Sequence, residues 1–432
     1  MNRPRWELAG SALAIAIVLA GLLWHVLACT ESPMAFSPDG KNLVFTVLQP
    51  YETKGGNNNT QLCRLMVLTT AAAPDAKNLR TLEEGGVFLT GPSFSPDGTQ
   101  FCYLRIAVPE APATAPATPS IRGSATADAP ATAPALPPGL ILPGDPKPGT
   151  ITGTETIDTG YIPEKNSGQA LLVVRDSATF KIVSTVVVDF SFYPTGDELA
   201  HPYLTLRPQY GASKNNIFYT DPFGMHAIDL QERSATVINR RAMCPAISPD
   251  HKTLAFVGSK EGKSVVLFTA ELASQTERFF PEMVSPSGLF WINNDKLAVL
   301  TGDAKNGHQK IVMLARDGKP LTTMDLPEYK ATKEEQMGEL AISPDGQHMI
   351  VCYNGLVRFF DAQGKLQHDM SVKDALLAQP TITPDGARIA FKELTTIKNG
   401  DTEVTQVSAI VFYNFEAKEV ARVAIAPAPA PR

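Results

Sequence analysis

The sequence predicts an all-β fold: a seven-bladed β-propeller of four-stranded antiparallel blades, preceded by one N-terminal transmembrane or signal helix. Three observations predict it. A short phrase recurs, as F-SPDG-KNLVF at 36–45, F-SPDG-TQFCY at 94–103, I-SPDH-KTLAF at 247–256, I-SPDG-QHMIV at 342–351 and I-TPDG-ARIAF at 382–391. Recurrence at intervals of roughly 40–60 residues marks an array of one supersecondary unit. A second strand–turn–strand pattern follows each phrase, and a long apolar run lies near the N-terminus.

The chemistry of the phrase is local. Proline presets φ near −65° for a turn, aspartate bonds its own backbone two residues on, and glycine accepts positive φ. The next strand has one apolar profile: Leu43-Val44-Phe45, Phe101-Cys102-Tyr103, Leu254-Ala255-Phe256, Met349-Ile350-Val351 and Ile389-Ala390-Phe391. Ile217-Phe218-Tyr219 and Leu297-Ala298-Val299 fit the same columns as weaker copies. Apolar residues on both faces suit a strand sandwiched between neighbouring sheets. The second half-repeat begins at Arg64, Ala170, Met225, Val265, Ile311, Val357 and Ile410. Two half-repeats supply four strands, one blade. Seven rows give seven blades; six is the alternative if a weak copy belongs to its neighbour.

These SPDG rows resemble the WD-repeat-like propeller of the TolB type, over residues 31–425. The resemblance implies a propeller that acts as an extracytoplasmic docking platform for proteins. It implies binding more than catalysis and names no partner. The resemblance covers the propeller and does not extend to the extra N-terminal domain of TolB itself.

Residues 1–29 are read as a signal anchor or lipoprotein signal. The run at 8–28 is long enough to span a bilayer. Arg3 and Arg5 precede it and no basic residue follows before Lys41, which places the propeller outside. Three readings stand: an uncleaved anchor, lipidation of Cys29 after Val26-Leu27-Ala28, or cleavage after Ala28. Residues 30–425 form the propeller and 426–432 an Ala/Pro tail.

Composition narrows the function. Among 432 residues the formal net charge is −6, and no basic cluster supports nucleic-acid binding. Five cysteines without a C-x-x-C signal neither zinc nor a redox pair, and Cys102 and Cys352 occupy apolar columns. The seven histidines are scattered, so no metal ligand set is predicted. No G-x-S-x-G elbow, phosphate loop or singled-out carboxylate pair is present, so no catalytic residue and no cofactor is assigned. The repeated Asp39, Asp97, Asp250, Asp345 and Asp385 answer a need common to every blade and are read as turn-stabilising.

Departures from the repeat carry the functional reading. Residues 109–168 form an Ala/Pro/Thr-rich insertion expected to be disordered, with Leu140-Ile141-Leu142-Pro143 its sticky spot. The links between second and third strands are read as long at 49–61, in that insertion, and at 392–407. The blade-to-blade links at 189–199 and 326–337 are long too and leave the same face. Loops on a rigid scaffold are where binding concentrates. The candidate contacts for a protein partner are therefore Tyr51, Glu52, Lys54, Tyr161, Tyr193, Tyr329 and Lys398. The alternatives are a lactonase- or glycosidase-like propeller enzyme, or a small-ligand sensor, with its site at the central channel.

Overall fold

The computed structural model describes residues 34–50, 61–107 (apart from 71–73 and 86), 166–192, 208–260 (apart from 212, 222–223, 232–233 and 240–242), 263–302 (apart from 272–276 and 285), 309–325 and 339–427 (apart from 354–355, 374 and 400–401). These residues are strands and the turns that join them. The first sheet holds β1 (Met34–Phe36), β2 (Asn42–Pro50), β3 (Gln61–Thr69) and β4 (Leu79–Gly85). The second holds β5 (Val87–Leu89), β6 (Ser93–Phe94), β7 (Gln100–Ala107), β8 (Asn166–Asp176) and β9 (Ile182–Phe192). The third holds β10 (Gln209–Tyr210), β11 (Asn216–Asp221), β12 (Gly224–Asp229) and β13 (Ser234–Asn239). The fourth holds β14 (Met243–Ile247), β15 (Thr253–Lys260), β16 (Lys263–Glu271) and β17 (Glu277–Val284). The fifth holds β18 (Pro286–Asn293), β19 (Lys296–Gly302), β20 (Gln309–Ala315) and β21 (Pro320–Asp325). The sixth holds β22 (Glu339–Ile342), β23 (His348–Tyr353), β24 (Leu356–Asp361) and β25 (Leu366–Ser371). The last holds β26 (Leu376–Ile382), β27 (Ile389–Asn399), β28 (Thr402–Tyr413) and β29 (Glu419–Ala424).

Every pairing is antiparallel and, apart from β5 with β7, joins strands consecutive in the chain; around the centre β1 touches β6, β6 touches β10, β14 touches β18, β18 touches β22, β22 touches β26 and β26 touches β1. This is a β-propeller. Its core is a series of interfaces between neighbouring sheets, because each middle strand is apolar on both faces. Val44, Leu65 and Val67 meet Phe101, Tyr103 and Val173 between the first two sheets. Ile350, Val357 and Phe359 meet Phe391, Val411 and Tyr413 between the last two. The ring closes where Phe45, Met66 and Leu68 pack on Ala390, Ile410 and Phe412.

The expected count of seven four-stranded blades is corrected: six blades have four strands, and the second sheet has five. There β5 and β6 both pair with β7 at different places. Gly91-Pro92 splits the innermost strand, since proline cannot donate to the ladder. Thr90 bridges the break: its amide donates to Leu104 O at 3.0 Å, and Leu104 N–H donates to Thr90 Oγ1 at 2.9 Å.

A second correction concerns residues 392–407, read as a loop. Residues 392–399 and 402–407 are strand: β27 pairs with β28 from Ile389↔Tyr413 to Asn399↔Thr402, with two residues of sequence between them. Similarly, the supposed link at 189–199 begins with residues of β9 up to Phe192, and β8 starts at Asn166. The predicted N-terminal helix and Cys29 lie outside the described residues. Among the described residues the one helical turn is a 3-10 turn at Ala76–Asn78, and no helix is long and apolar enough to cross a membrane.

Candidate interaction face and the charged groups of the inner strands

The two ends of the propeller are built differently. In a sequential antiparallel sheet the first–second and third–fourth turns share one end. The second–third links and the sheet-to-sheet links share the other.

The first end is uniform. Asp39 Oδ1 accepts from Lys41 N–H at 3.1 Å, and the same bond two residues on is made by Asp97, Asp250, Asp345 and Asp385 at 3.0–3.1 Å. Each turn adds a hydroxyl that the repeat reading passed over. Ser343 Oγ donates to Asp345 Oδ1 at 2.5 Å and accepts from His348 N–H at 2.9 Å. Ser37, Ser95, Ser248 and Thr383 do the same in the other turns. Those side-chain bonds hold the carboxyls of Asp39, Asp97, Asp345 and Asp385 below the usual carboxylate range. Burial works against Asp250, but Ser248, the Lys252 amide and Arg316 hold it low as well. Gly98 has φ +68°, and an added Cβ would lie 3.2 Å from Pro38 of the preceding turn. The turns thus also pack on one another around the ring. His251 fills the glycine place of its turn with φ +55°.

Replacing Ser343, 1% exposed, with alanine removes both bonds and leaves the His348 amide short of an acceptor. The expected loss is about 1–2 kcal/mol, read as a drop in denaturant midpoint. A depressed aspartate pKa gives stability that is present above the unfolded pKa and lost as pH falls through the folded one. The five turns should therefore loosen together on acidification below pH ~4, and Asp345→Asn should flatten that dependence.

The opposite end is uneven. The β23–β24 pair of the sixth sheet runs from His348↔Asp361 to Tyr353↔Leu356, whereas β27–β28 runs on to Asn399↔Thr402. Aligned by the repeat, Tyr353 corresponds to Glu393, so six further residues at about 3.3 Å each carry that hairpin roughly 20 Å farther. In the second sheet β8 and β9 extend to Asn166↔Phe192, past the last β7 partner of β8 at Ala170. In the first sheet β2 and β3 pair as far as Pro50↔Gln61. These three sheets are neighbours in the ring; in the fourth, β15 and β16 pair nearly as far as β2 and β3, to Lys260↔Lys263. Lys398 sits on the long hairpin opposite Glu403. Tyr51, Glu52, Lys54, Tyr161, Tyr193 and Tyr329 lie outside the described residues.

Around the centre the innermost strands are nearly free of charge. Glu339 is the one acidic or basic residue in β1, β5, β6, β10, β14, β18, β22 and β26. It accepts from the Gln379 amide, presented by a bulge where Gln379 has φ +53°. Burial pushes its carboxyl up to about 7. Lys392, 4% exposed, donates from Nζ to Thr46 O across the closing interface. Burial lowers its ammonium to about 8, against the pull of Cys63 and Glu339. Arg64 answers from the first sheet, donating from Nη2 to Ala426 O at 2.7 Å. Among the described residues no strand is shared across this closure, and packing and these two cations join its sides. Cys63, Cys102 and Cys352 are buried and stand outside any disulfide, and burial raises the Cys63 thiol to about 11. Among the described residues no group of His, Cys, Asp and Glu is arranged to hold a metal.

Glu339 sets a testable pH dependence. A carboxyl raised in the folded state adds stability that is complete below the unfolded pKa near 4.5 and is lost as pH rises through about 7. Relative to Glu339→Gln, the wild type should lose roughly 1–3 kcal/mol between pH 4.5 and 7. Parallel midpoints for the two proteins across that range would contradict the assignment.

No protein-family model matches this chain, and no curated protein matches it. Solved structures are similar to it. TolB from Acinetobacter baumannii shares 11% identity, over 81% of this chain and 67% of that one, with a TM-score of 0.42. The dihydro-heme d1 dehydrogenase NirN, in complex with DHE, shares 13% identity over 91% of this chain and 66% of that one, at 0.44. Kuenenia stuttgartiensis hydrazine synthase shares 16% identity over 50% and 65%, at 0.40. The chain spans about two thirds of the length of the TolB and NirN chains. Likeness at this level extends to fold alone, which the ring of sheets establishes independently.

Proposed function

We propose that this protein is a protein-binding scaffold, a non-catalytic subunit of a larger assembly. It is held at a membrane by residues 8–28 or by lipid on Cys29, with its propeller on the periplasmic or extracellular side. The observation that carries this reading is the asymmetry of the two ends. One end is a ring of turns repeated for stability. The other is built out most in the last and second sheets, where β27–β28 and β8–β9 run past their neighbouring strands. Elaboration concentrated on one end of a rigid ring fits a docking surface better than a channel site.

The anchor rests on the apolar run and on the arginines before it. Among the described residues the innermost strands carry one carboxylate, Glu339, where glycoside hydrolysis needs a pair. One observation favours the alternative, an enzyme or small-ligand sensor. Glu339 titrates near neutrality at the inner wall, as functional carboxylates often do. Extraction of the native protein in mild detergent separates the two. A stable complex of higher mass, unchanged by Glu339→Gln, supports the scaffold. A monomer whose ligand binding or turnover is lost in Glu339→Gln supports the channel.

A further inference from the structure

One column of the repeat is broken by a buried charge. The residue after each apolar triplet is Thr46 in β2, Leu104 in β7, Thr220 in β11, Val257 in β15, Leu300 in β19, Cys352 in β23 and Lys392 in β27. Every sheet but the last places an uncharged residue there. Burying an ammonium costs free energy that an apolar side chain does not, and the other sheets form without one. Departures of this kind concentrate at functional sites.

Lys392 stands at the root of the projecting hairpin. β26 accompanies β27 only as far as Leu376↔Leu394, and β29 accompanies β28 only from Ala409↔Ala424. Beyond those pairs, residues 395–399 and 402–406 form a two-stranded ribbon, which is marginally stable by itself. The ladder is irregular at the root: the pairs Glu393↔Ala409 and Leu394↔Val407 leave Ser408 as a bulge, and a bulge bends and twists its strand. Consecutive residues of a strand point to opposite faces, and here both faces are tied. Lys392 donates to Thr46 O of the first sheet. Glu393, on the other face, pairs with Arg422 of β29 and accepts from Ser408 Oγ at 3.0 Å. Glu339 of the sixth sheet and Cys63 of the first are the titratable groups that act on Lys392. Glu339 pairs with Cys352, which puts it at the same level of the ring.

We propose that Lys392 is a positioning residue, whose bond to the first sheet sets the direction in which the β27–β28 hairpin is presented to a partner. The partner rests on the docking reading above; the aim of the hairpin does not. Leu394 and Val407 already press the root against the apolar cluster shared with the first sheet. Apolar packing is non-directional, whereas a hydrogen bond is aligned. One bond from Nζ to a backbone carbonyl therefore adds what the packing lacks, a fixed angle at the point where the hairpin leaves its sheet.

The test compares the full chain with Lys392→Met in mild detergent. Methionine follows the lysine stem and suits a column that is uncharged in the other sheets, so the denaturant midpoint should not fall. Amides of residues 392–396 and 405–409 should exchange at least tenfold faster, while those of β23 and β24 stay as in the wild type. The yield of the higher-mass complex should drop at least tenfold. Lys392→Leu uses the residue that the second and fifth sheets have in this column, Leu104 and Leu300. It should behave alike, and it stands in if methionine is not accommodated. Unchanged exchange at the root in both variants would overturn the proposal. So would a lower midpoint with faster exchange in every sheet, which would make Lys392 an ordinary member of the core. A complex kept at full yield by these variants, but lost when residues 395–406 are removed, would overturn it as well. If removing 395–406 also keeps the complex, the docking reading fails, and exchange at the root alone judges the aim of the hairpin.

Discussion

Replacing Glu83 with alanine should destabilise the propeller by about 3–5 kcal/mol, the range for removing one partner of a buried ion pair. Glu83 sits on β4 and reaches into the second sheet. Its carboxylate accepts from Tyr103 Oη and pairs with Arg175 Nη2 at 3.1 Å and Arg105 Nη1 at 3.3 Å. Arg175 is buried slightly deeper; its Nε donates to Tyr103 Oη at 3.0 Å and its Nη1 to Phe180 O at 2.8 Å. Without Glu83 the Arg175 guanidinium stays fixed between two sheets with no counter-charge, because its other partners are neutral. Arg105, with its side chain 47% exposed, turns to water at little cost. Glu83→Gln keeps an acceptor for Tyr103 and should fall between wild type and alanine. Denaturant midpoints order the three proteins. A loss below about 1 kcal/mol for alanine, the level of an exposed pair, would mean that the sheets are not cross-tied here.

The second large effect is on binding. Joining Leu394 to Val407 through Asn-Gly in place of residues 395–406 removes the outer part of the β27–β28 hairpin and restores a two-residue connection. The removed part projects beyond its own sheet, so the core contacts of Phe391, Ile410 and Phe412 remain. Stability should change by no more than about 1 kcal/mol. Partner binding should fall at least tenfold, seen as loss of the higher-mass complex from detergent extracts. Retention of that complex at full yield would remove this hairpin from the docking surface.

Much of the fold was legible because a propeller repeats its constraints. Proline, aspartate and glycine in one order fix a turn wherever they occur, and all seven apolar triplets fall in second strands of sheets. The hydroxyl of Ser343 and its counterparts was legible too, as the first residue of every phrase, but its role appears only with the paired bonds in view. The five-stranded sheet was hidden by Gly91-Pro92, which interrupts a strand without ending it. The hairpin at 392–407 was misread because threonines and charged residues look like loop; Asn399-Gly400, a strong hairpin signal, was the available cue. Glu83 and Arg175 are 92 residues apart, and no local pattern joins them; only the packing of one sheet on the next does. Of the candidate contacts, the structure places Lys398 at the projecting hairpin by register.

Lysines report on which end of the propeller is occupied. Lys41, Lys252, Lys319, Lys365 and Lys418 all lie in the turns of the uniform end, while Lys398 is on the long hairpin at the other. Amine-reactive cross-linking of the native complex, mapped by mass spectrometry, reads both ends in one experiment. The scaffold account predicts intermolecular links at Lys398 and Lys54, with the five turn lysines linked only within the chain. Intermolecular links concentrated on the turn lysines, with Lys398 and Lys54 unlinked, would contradict it.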